Sequence, residues 1–396
     1  MKTLSKPSTA SAASNPRSNP PLLPISVKKL KFALSITIYM KKFKFLSSFF
    51  VAAAAAFSIC SVNGAKPERL WLGADISGTT ADEARGVFSA DTTGMRTENT
   101  RLMKNYGLDA VRLRVWVNPK EGFCSPEDVL RMAKRAKDEN MAIMIDFHYS
   151  DWWADPGKQY PPEEWKDYDL DRMKTALADH TASTLQLLKD NGIDVKCVKV
   201  GNETRDGFLW PLAQISKGNM ENYAQLSQAG YEAVKSVYPE AEVIVHIDNG
   251  YDNALYNEIF DALKGYGAQW DIIGMSVYPY WAMEAGAEPD ETSTLRDAAD
   301  NIRKLHAKYG CPIMITEIGV ASEEPEKGEK IMNDMFDLVI NDVDGACTGV
   351  FYWAPEMFQT TDFKGNKHGY ALGAFQNAQP TRIMNSFTRA KSLMNQ

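Results

Sequence analysis

The chain has 396 residues, 44% of them hydrophobic and 11% aromatic, with a formal net charge of −7. Its first 64 residues hold nine Lys and Arg and no acid, so the remaining 332 carry a net charge of −16. That surface disfavours nucleic acid, anionic membranes and polyanionic substrates. Beyond Cys60, four cysteines remain with none at CxxC spacing, which is no disulfide scaffold and leaves zinc unsupported.

A secretory signal layout occupies residues 40–64. It has a basic start at Lys41, Lys42 and Lys44, an apolar run over 45–59, and small residues around Gly64. The run is shorter than the roughly 20 apolar residues of a membrane span. Residues 1–39, rich in Pro, Ser and Asn, are either a mis-set start or an extended leader. Residues 65–396 form one expected domain, read as a monomer with no membrane span.

Apolar runs suited to strands recur at 70–75, 110–116, 141–148, 195–202, 243–246, 272–278, 313–317 and 349–353. Amphipathic helical patterns separate most of them, at 129–136, 173–188, 223–237, 254–263, 295–308 and 330–340. The first of these opens with Ser125 as N-cap, Pro126 at the first helical position and Asp128 placed for a capping box. Gly192, Gly310 and Gly345 follow three patterns as C-terminal stops. Alternating strands and helices imply parallel strands, and near-continuous apolar runs imply burial on both faces. Eight such units describe an α/β fold, a (β/α)8 TIM barrel. A doubly wound open sheet is the alternative, but no GxGxxG or GxxxxGK[ST] turn occurs. Cys311 and Cys347, each six residues ahead of a strand-end residue, are either a disulfide or two free thiols.

In a barrel the chemistry sits at the C-terminal strand ends. Those ends hold Asp75, Arg114, Trp116, Asp146, His148, Asn202, Glu203, His246, Asp248, Tyr278, Glu317 and Trp353. Two carboxylates flanking a bond are the minimal machinery of glycoside hydrolysis, and Glu203 and Glu317 each end an apolar run across the mouth from one another. A strand-end Glu taken alone is as readily a salt-bridge partner; the pair favours catalysis. Asp75, Asp146, Asp151, Asp155, Asp248 and Glu356 compete, with Asp75 and Asp146 read as buried against Arg or His. Sugars require flat apolar faces beside hydrogen-bonding edges. Seven of the nine tryptophans fall on the catalytic side, Trp353 as the expected cleft floor and Trp165 as padding. His180 and His306 lie in helical patterns and are read as inert, and the Asn-Glu-Thr glycosylation match at Asn202 as accidental. Neither HExxH nor GxSxG is present, and no metal or cofactor is expected.

Several blocks are specific enough to name a likeness. Gly73-Ala74-Asp75-Ile76-Ser77, Val111 through Pro119, and Asp146-Phe147-His148-Tyr149-Ser150-Asp151 through Gly157-Lys158-Gln159 closely resemble family 53 glycoside hydrolases, the arabinogalactan endo-β-1,4-galactanases. Gly201-Asn202-Glu203 with Leu209-Trp210-Pro211, and Tyr278-Pro279-Tyr280-Trp281, extend the match. The resemblance implies a retaining barrel enzyme with Glu203 as acid/base and Glu317 as nucleophile. It further implies that Asn202 holds the sugar 2-hydroxyl and that Arg114, His148 and Tyr278 lie beside the nucleophile. Trp116, Trp153, Asp155, Trp210, Trp281 and Trp353 are the expected substrate contacts. The implied partner is the neutral β-1,4-galactan of pectin side chains. After Glu317 the chain lacks the closely spaced Asp series with which some relatives bind calcium, so no calcium is carried over. A β-mannanase or cellulase on the same barrel, or a non-catalytic glycan-binding protein, are the other readings.

Overall fold

The computed structural model describes residues 66–361 and 367–396. The leader and signal expected at 1–39 and 40–64 lie outside the described residues.

Eight parallel strands close into a barrel: β1 (Trp71–Asp75), β2 (Ala110–Val115), β3 (Ala142–Phe147), β4 (Val195–Val200), β5 (Glu242–Ile247), β6 (Ile272–Val277), β7 (Ile313–Ile318) and β8 (Cys347–Trp353). The last strand pairs with the first from Trp71 opposite Gly349 to Asp75 opposite Trp353, so no edge is left open. Each strand alternates its two faces. In β2, Val111, Leu113 and Val115 join the large core beneath the helices, while Ala110 points into the barrel. Ala110, Met144, Cys197, Ile244, Ile272, Met314 and Phe351 make an apolar plug at the lower end of the barrel. The Phe351 ring fits there because residue 73 is Gly; a Cβ at that position would lie 2.3 Å from the ring. Two residues further along the strands, the inward positions become Arg112, Asp146, Lys199 and His246, all fully buried. The barrel interior therefore changes from apolar to charged as it approaches the mouth.

Ten helices are described: α1 (Thr79–Ala84), α2 (Asn99–Asn105), α3 (Pro126–Asp138), α4 (Leu170–Asp190), α5 (Met220–Val237), α6 (Asn253–Gly265), α7 (Pro279–Glu284), α8 (Glu291–Tyr309), α9 (Pro325–Asn341) and α10 (Asn385–Met394). The six expected patterns lie within α3, α4, α5, α6, α8 and α9. At α3 the Ser125 hydroxyl accepts from Asp128 N, and Pro126 occupies the first turn. Asp128 does not close a capping box; its Oδ2 accepts from Cys124 N and the Thr80 hydroxyl, both at 2.8 Å. Gly310 caps α8 at φ 69°, where a side chain would be strained. The six- and seven-residue helices α1, α2 and α7 escaped the sequence reading because fewer than two turns give no periodicity. All four cysteines of the described domain are free thiols. Cys347 stands opposite Ile313 in the β7–β8 ladder, two residues beyond Cys311, so the pairing left open in the sequence is out of register.

Candidate active site

A cleft of about 790 Å³ opens at the C-terminal ends of the strands. Its wall includes Glu203, Glu317, Asn202, His148, Tyr278, Asp155, Trp153, Trp281 and Trp353. Glu317 reaches it through a slip in register. Met275 pairs with Ile315 but Ser276 pairs with Glu317, so β7 carries one extra residue at Thr316. Strict alternation from Met314 and Thr316 would turn Glu317 out towards the helices. The bulge turns it in, as bulges near functional sites do. Glu203 sits three residues past β4 with φ +50°, a left-handed conformation costing a non-glycine residue about 1–3 kcal/mol. The surroundings hold it there: the Gln159 side-chain amide donates to the carbonyls of Asn202 (2.7 Å) and Glu203 (3.3 Å).

Below the cleft a buried ionic lattice fixes Glu317. The Arg112 guanidinium spans Asp75 (2.9 Å), Asp146 (2.7 Å) and Glu317 Oε1 (2.6 Å). Tyr278 OH donates to the other oxygen, Glu317 Oε2, at 3.0 Å. Lys199 Nζ donates to Asn202 Oδ1 (2.7 Å), pairs with Asp146 (3.0 Å) and lies 4.0 Å from Glu317 Oε1. Asp146 is held far below the usual carboxylate range: burial opposes ionisation, but the charges of Arg112 and Lys199 more than overcome it. His148 Nδ1 accepts from Ala154 N at 3.0 Å, so its proton is on Nε2, 3.3 Å from Asp146. Burial lowers the pKa of that imidazole below its ordinary value and favours its neutral form.

The other carboxylate has a different environment. Glu203 keeps some surface in the cleft, yet no cation among the described residues pairs with it. Burial first, then the charges of Glu317 and Asp248, push its pKa well above the ordinary value. Ser276 Oγ donates to Glu203 Oε1 at 2.6 Å. His246 Nε2 lies 2.9 Å from Ser276 Oγ, and its Nδ1 lies 3.3 Å from Glu203 N and 3.1 Å from Asn202 Oδ1. One oxygen of Glu203 and one of Glu317 lie within 4.8 Å of each other and of a His246 ring nitrogen. Asp248, bound to Arg205 at 3.0 Å, is pushed up to about 6 by burial.

The aromatic wall is built in layers. Trp353 stands 4.7 Å from the Tyr370 ring and 5.7 Å from Trp153, centroid to centroid. The Arg114 guanidinium lies 3.8 Å over Trp153 and 4.7 Å from Trp116. Three sequence assignments change here. The arginine on Glu317 is Arg112; Arg114 is one inward position higher on β2 and backs the tryptophans. Trp116 is only 4% exposed and packs behind Trp152 and Trp153 outside the cleft wall. Trp210 also lies outside that wall, its indole N–H donating to Asp206 O and its ring set against Tyr160. Trp165 is buried in the core and packs against half-buried His180, away from the site. The sequence reading missed Arg112, Lys199, Ser276, Gln159 and Tyr370. A signal existed for the first two, since each is a charge inside an apolar run with inward parity.

Paired carboxylates facing each other in an open, aromatic-walled cleft at a barrel mouth are the equipment of a glycoside hydrolase, and this chain is one. Residues 71–330 match the family model described as Glycosyl hydrolase family 53. The chain is 32% identical over 319 residues to an uncharacterized protein of the bgaB 5′ region of Niallia circulans, covering 73% of this chain and 84% of that one. It is 30% identical over 307 residues to arabinogalactan endo-beta-1,4-galactanase A of Emericella nidulans, covering 72% and 84%. Among solved structures it resembles the Ignisphaera aggregans GH53 catalytic domain (TM-score 0.71, 25% identity, 81% of this chain and 96% of that one). A fungal beta-1,4-galactanase shares the fold with a TM-score of 0.70 at 24% identity, covering 81% and 99%. The chain belongs to glycosyl hydrolase family 53.

Proposed function

We propose that the protein is a secreted, endo-acting β-1,4-galactanase that cleaves galactan with retention of anomeric configuration. The observation that carries the mechanism is the carboxylate pair. Retaining glycosidases hold their carboxyl groups about 5–5.5 Å apart and inverting ones about 6.5–9.5 Å, to admit a water. Oxygens of Glu203 and Glu317 within 4.8 Å support the first. The substrate reading rests on relatives named as galactanases, and secretion on the signal layout at 40–64.

In this reading Glu203 begins protonated, as its raised pKa favours, and donates to the departing glycosidic oxygen. Glu317, held by Arg112 and Tyr278, attacks the anomeric carbon and forms a glycosyl-enzyme. Glu203, now ionised, takes a proton from the water that releases the sugar. Asn202 presents an amide proton to the 2-hydroxyl, and Trp353 and Trp153 supply apolar faces to the rings. Trp281, half exposed at the cleft wall, extends the platform.

Reducing-end release from β-1,4-galactan, β-mannan and cellulose measured in parallel tests the substrate. Galactan is expected to be the preferred polymer, and equal or better turnover of mannan or cellulose overturns that choice. Glu203→Gln is expected to lower turnover of galactan at least about 10³-fold without unfolding the chain. Unchanged turnover removes Glu203 from the mechanism.

A further inference from the structure

Resting on the two-carboxylate reading, we propose that Lys199 is a positioning residue of the active site. It orients the Asn202 amide and supplies the second positive charge that keeps Glu317 available as a nucleophile.

Lys199 occupies an inward position of β4 and is fully buried. Withdrawing an ammonium from water is unfavourable unless its protons and charge are matched. Pairing with Asp146 alone does not account for it, because Asp146 already has Arg112 at 2.7 Å and His148 at 3.3 Å. The charge count does. Asp75, Asp146 and Glu317 share one enclosed lattice, and burial favours neutral His148 and His246 beside it. Arg112 by itself would face three carboxylates; with Lys199 the lattice holds two cations against three anions. Like charges crowded in a dry site raise one another's proton affinity. Lys199, 4.0 Å from Glu317 Oε1, brings a second positive charge to the carboxylate of the nucleophile. Glu203 faces the same lattice from the other side of the cleft, and the Lys199 charge also acts on it.

The second action is geometric. An amide can present either end to the cleft. Here Lys199 Nζ donates to Asn202 Oδ1 at 2.7 Å, with Arg112 Nη2 adding a longer contact at 3.4 Å. The oxygen is thereby turned down into the barrel, and Nδ2 donates to Ala154 O at 2.9 Å. One N–H of Asn202 is left for the substrate. A flipped amide would point an oxygen at the two cations' side no longer and offer the sugar an acceptor instead of a donor.

Lys199→Met and Lys199→Gln, assayed on galactan from pH 4 to 9 with thermal melts of both, test this. Lys199→Met is expected to lower kcat roughly tenfold or more, with KM moving less. The acidic limb of its kcat/KM profile is expected to move up by about one pH unit. Lys199→Gln, which keeps an amide donor for Asn202 but no charge, is expected to recover part of kcat while its acidic limb stays displaced. A folded Lys199→Met with wild-type kcat and pH profile overturns the proposal, as does a lowered melting temperature with unchanged kinetics. Glu317→Gln separates the two claims. Full activity in that variant sinks the two-carboxylate reading, whereas its inactivity beside a wild-type Lys199→Met sinks only the role of Lys199.

Discussion

The two glutamates differ because their neighbours differ. Glu317 has Arg112 and Tyr278 on its two oxygens, whereas Glu203 has Ser276 on one oxygen and the charges of Glu317 and Asp248 nearby. The Ser276 hydrogen bond favours ionised Glu203, against the larger opposing effect of burial. Removing it with Ser276→Ala leaves the proton more tightly held. The basic limb of the kcat/KM profile is then expected to move to higher pH and, in the proposed retaining mechanism, release of the glycosyl-enzyme to slow, because that step would need ionised Glu203. A pH–rate profile checks this, and a basic limb that stays put or moves down contradicts it. At this scale the sequence disclosed Glu203 and Glu317 as the ends of apolar runs. It did not separate Arg112 from Arg114, which share the inward face of β2 and differ only in height. That height is set by the pairing of β2 with β1 and β3, Asp75 opposite Arg112 and Asp146 opposite Arg114, which no single strand encodes.

Elements transmit packing to the site. Helix α5 approaches β4 closely because residue 230 is Gly; a Cβ there would lie 2.4 Å from Val200 Cγ1 and 3.4 Å from Tyr149 OH. Val200 is the last residue of β4, immediately before Gly201, Asn202 and Glu203. Gly230→Val overpacks this contact and is expected to cost about 1–3 kcal/mol of stability. It should also lower kcat more than it raises KM, because Glu203 shifts relative to Glu317. Thermal melts with steady-state kinetics check both, and an unchanged melting temperature with full kcat contradicts the contact. The eight strands were legible to within a few residues because each is a distinct apolar run. The bulge in β7 was not. Reading Glu317 as a strand end was sufficient to choose it, but a period of two counted from Met314 would have faced it away from the cleft.

Over the whole molecule, the closure of the barrel carries a titration of its own. Glu356, just beyond β8, is 7% exposed with neither carboxylate oxygen hydrogen-bonded to another of the described residues, and burial pushes it up to about 8. A carboxyl with a raised folded pKa binds its proton more tightly folded than unfolded. It therefore costs no stability below the unfolded value near 4.5, and the cost grows as pH rises from there to about 8. Glu356→Gln is expected to raise the melting temperature at pH 9 and to change it little at pH 4; an equal change at both contradicts this sign. The barrel as a whole was legible from its strand–helix rhythm. The segment after β8 was not, since its short hairpins offer no period, and α10 is recognised only by what it buries, Phe387 against Phe336 at 5.2 Å. A retaining carboxylate pair makes one demand on the product. When the wild-type protein cuts β-1,4-galactan, ¹H NMR of the new reducing ends in the first minutes should show the β-anomer, with α appearing only by mutarotation. Initial release of the α-anomer would contradict Glu203 and Glu317 as a retaining pair.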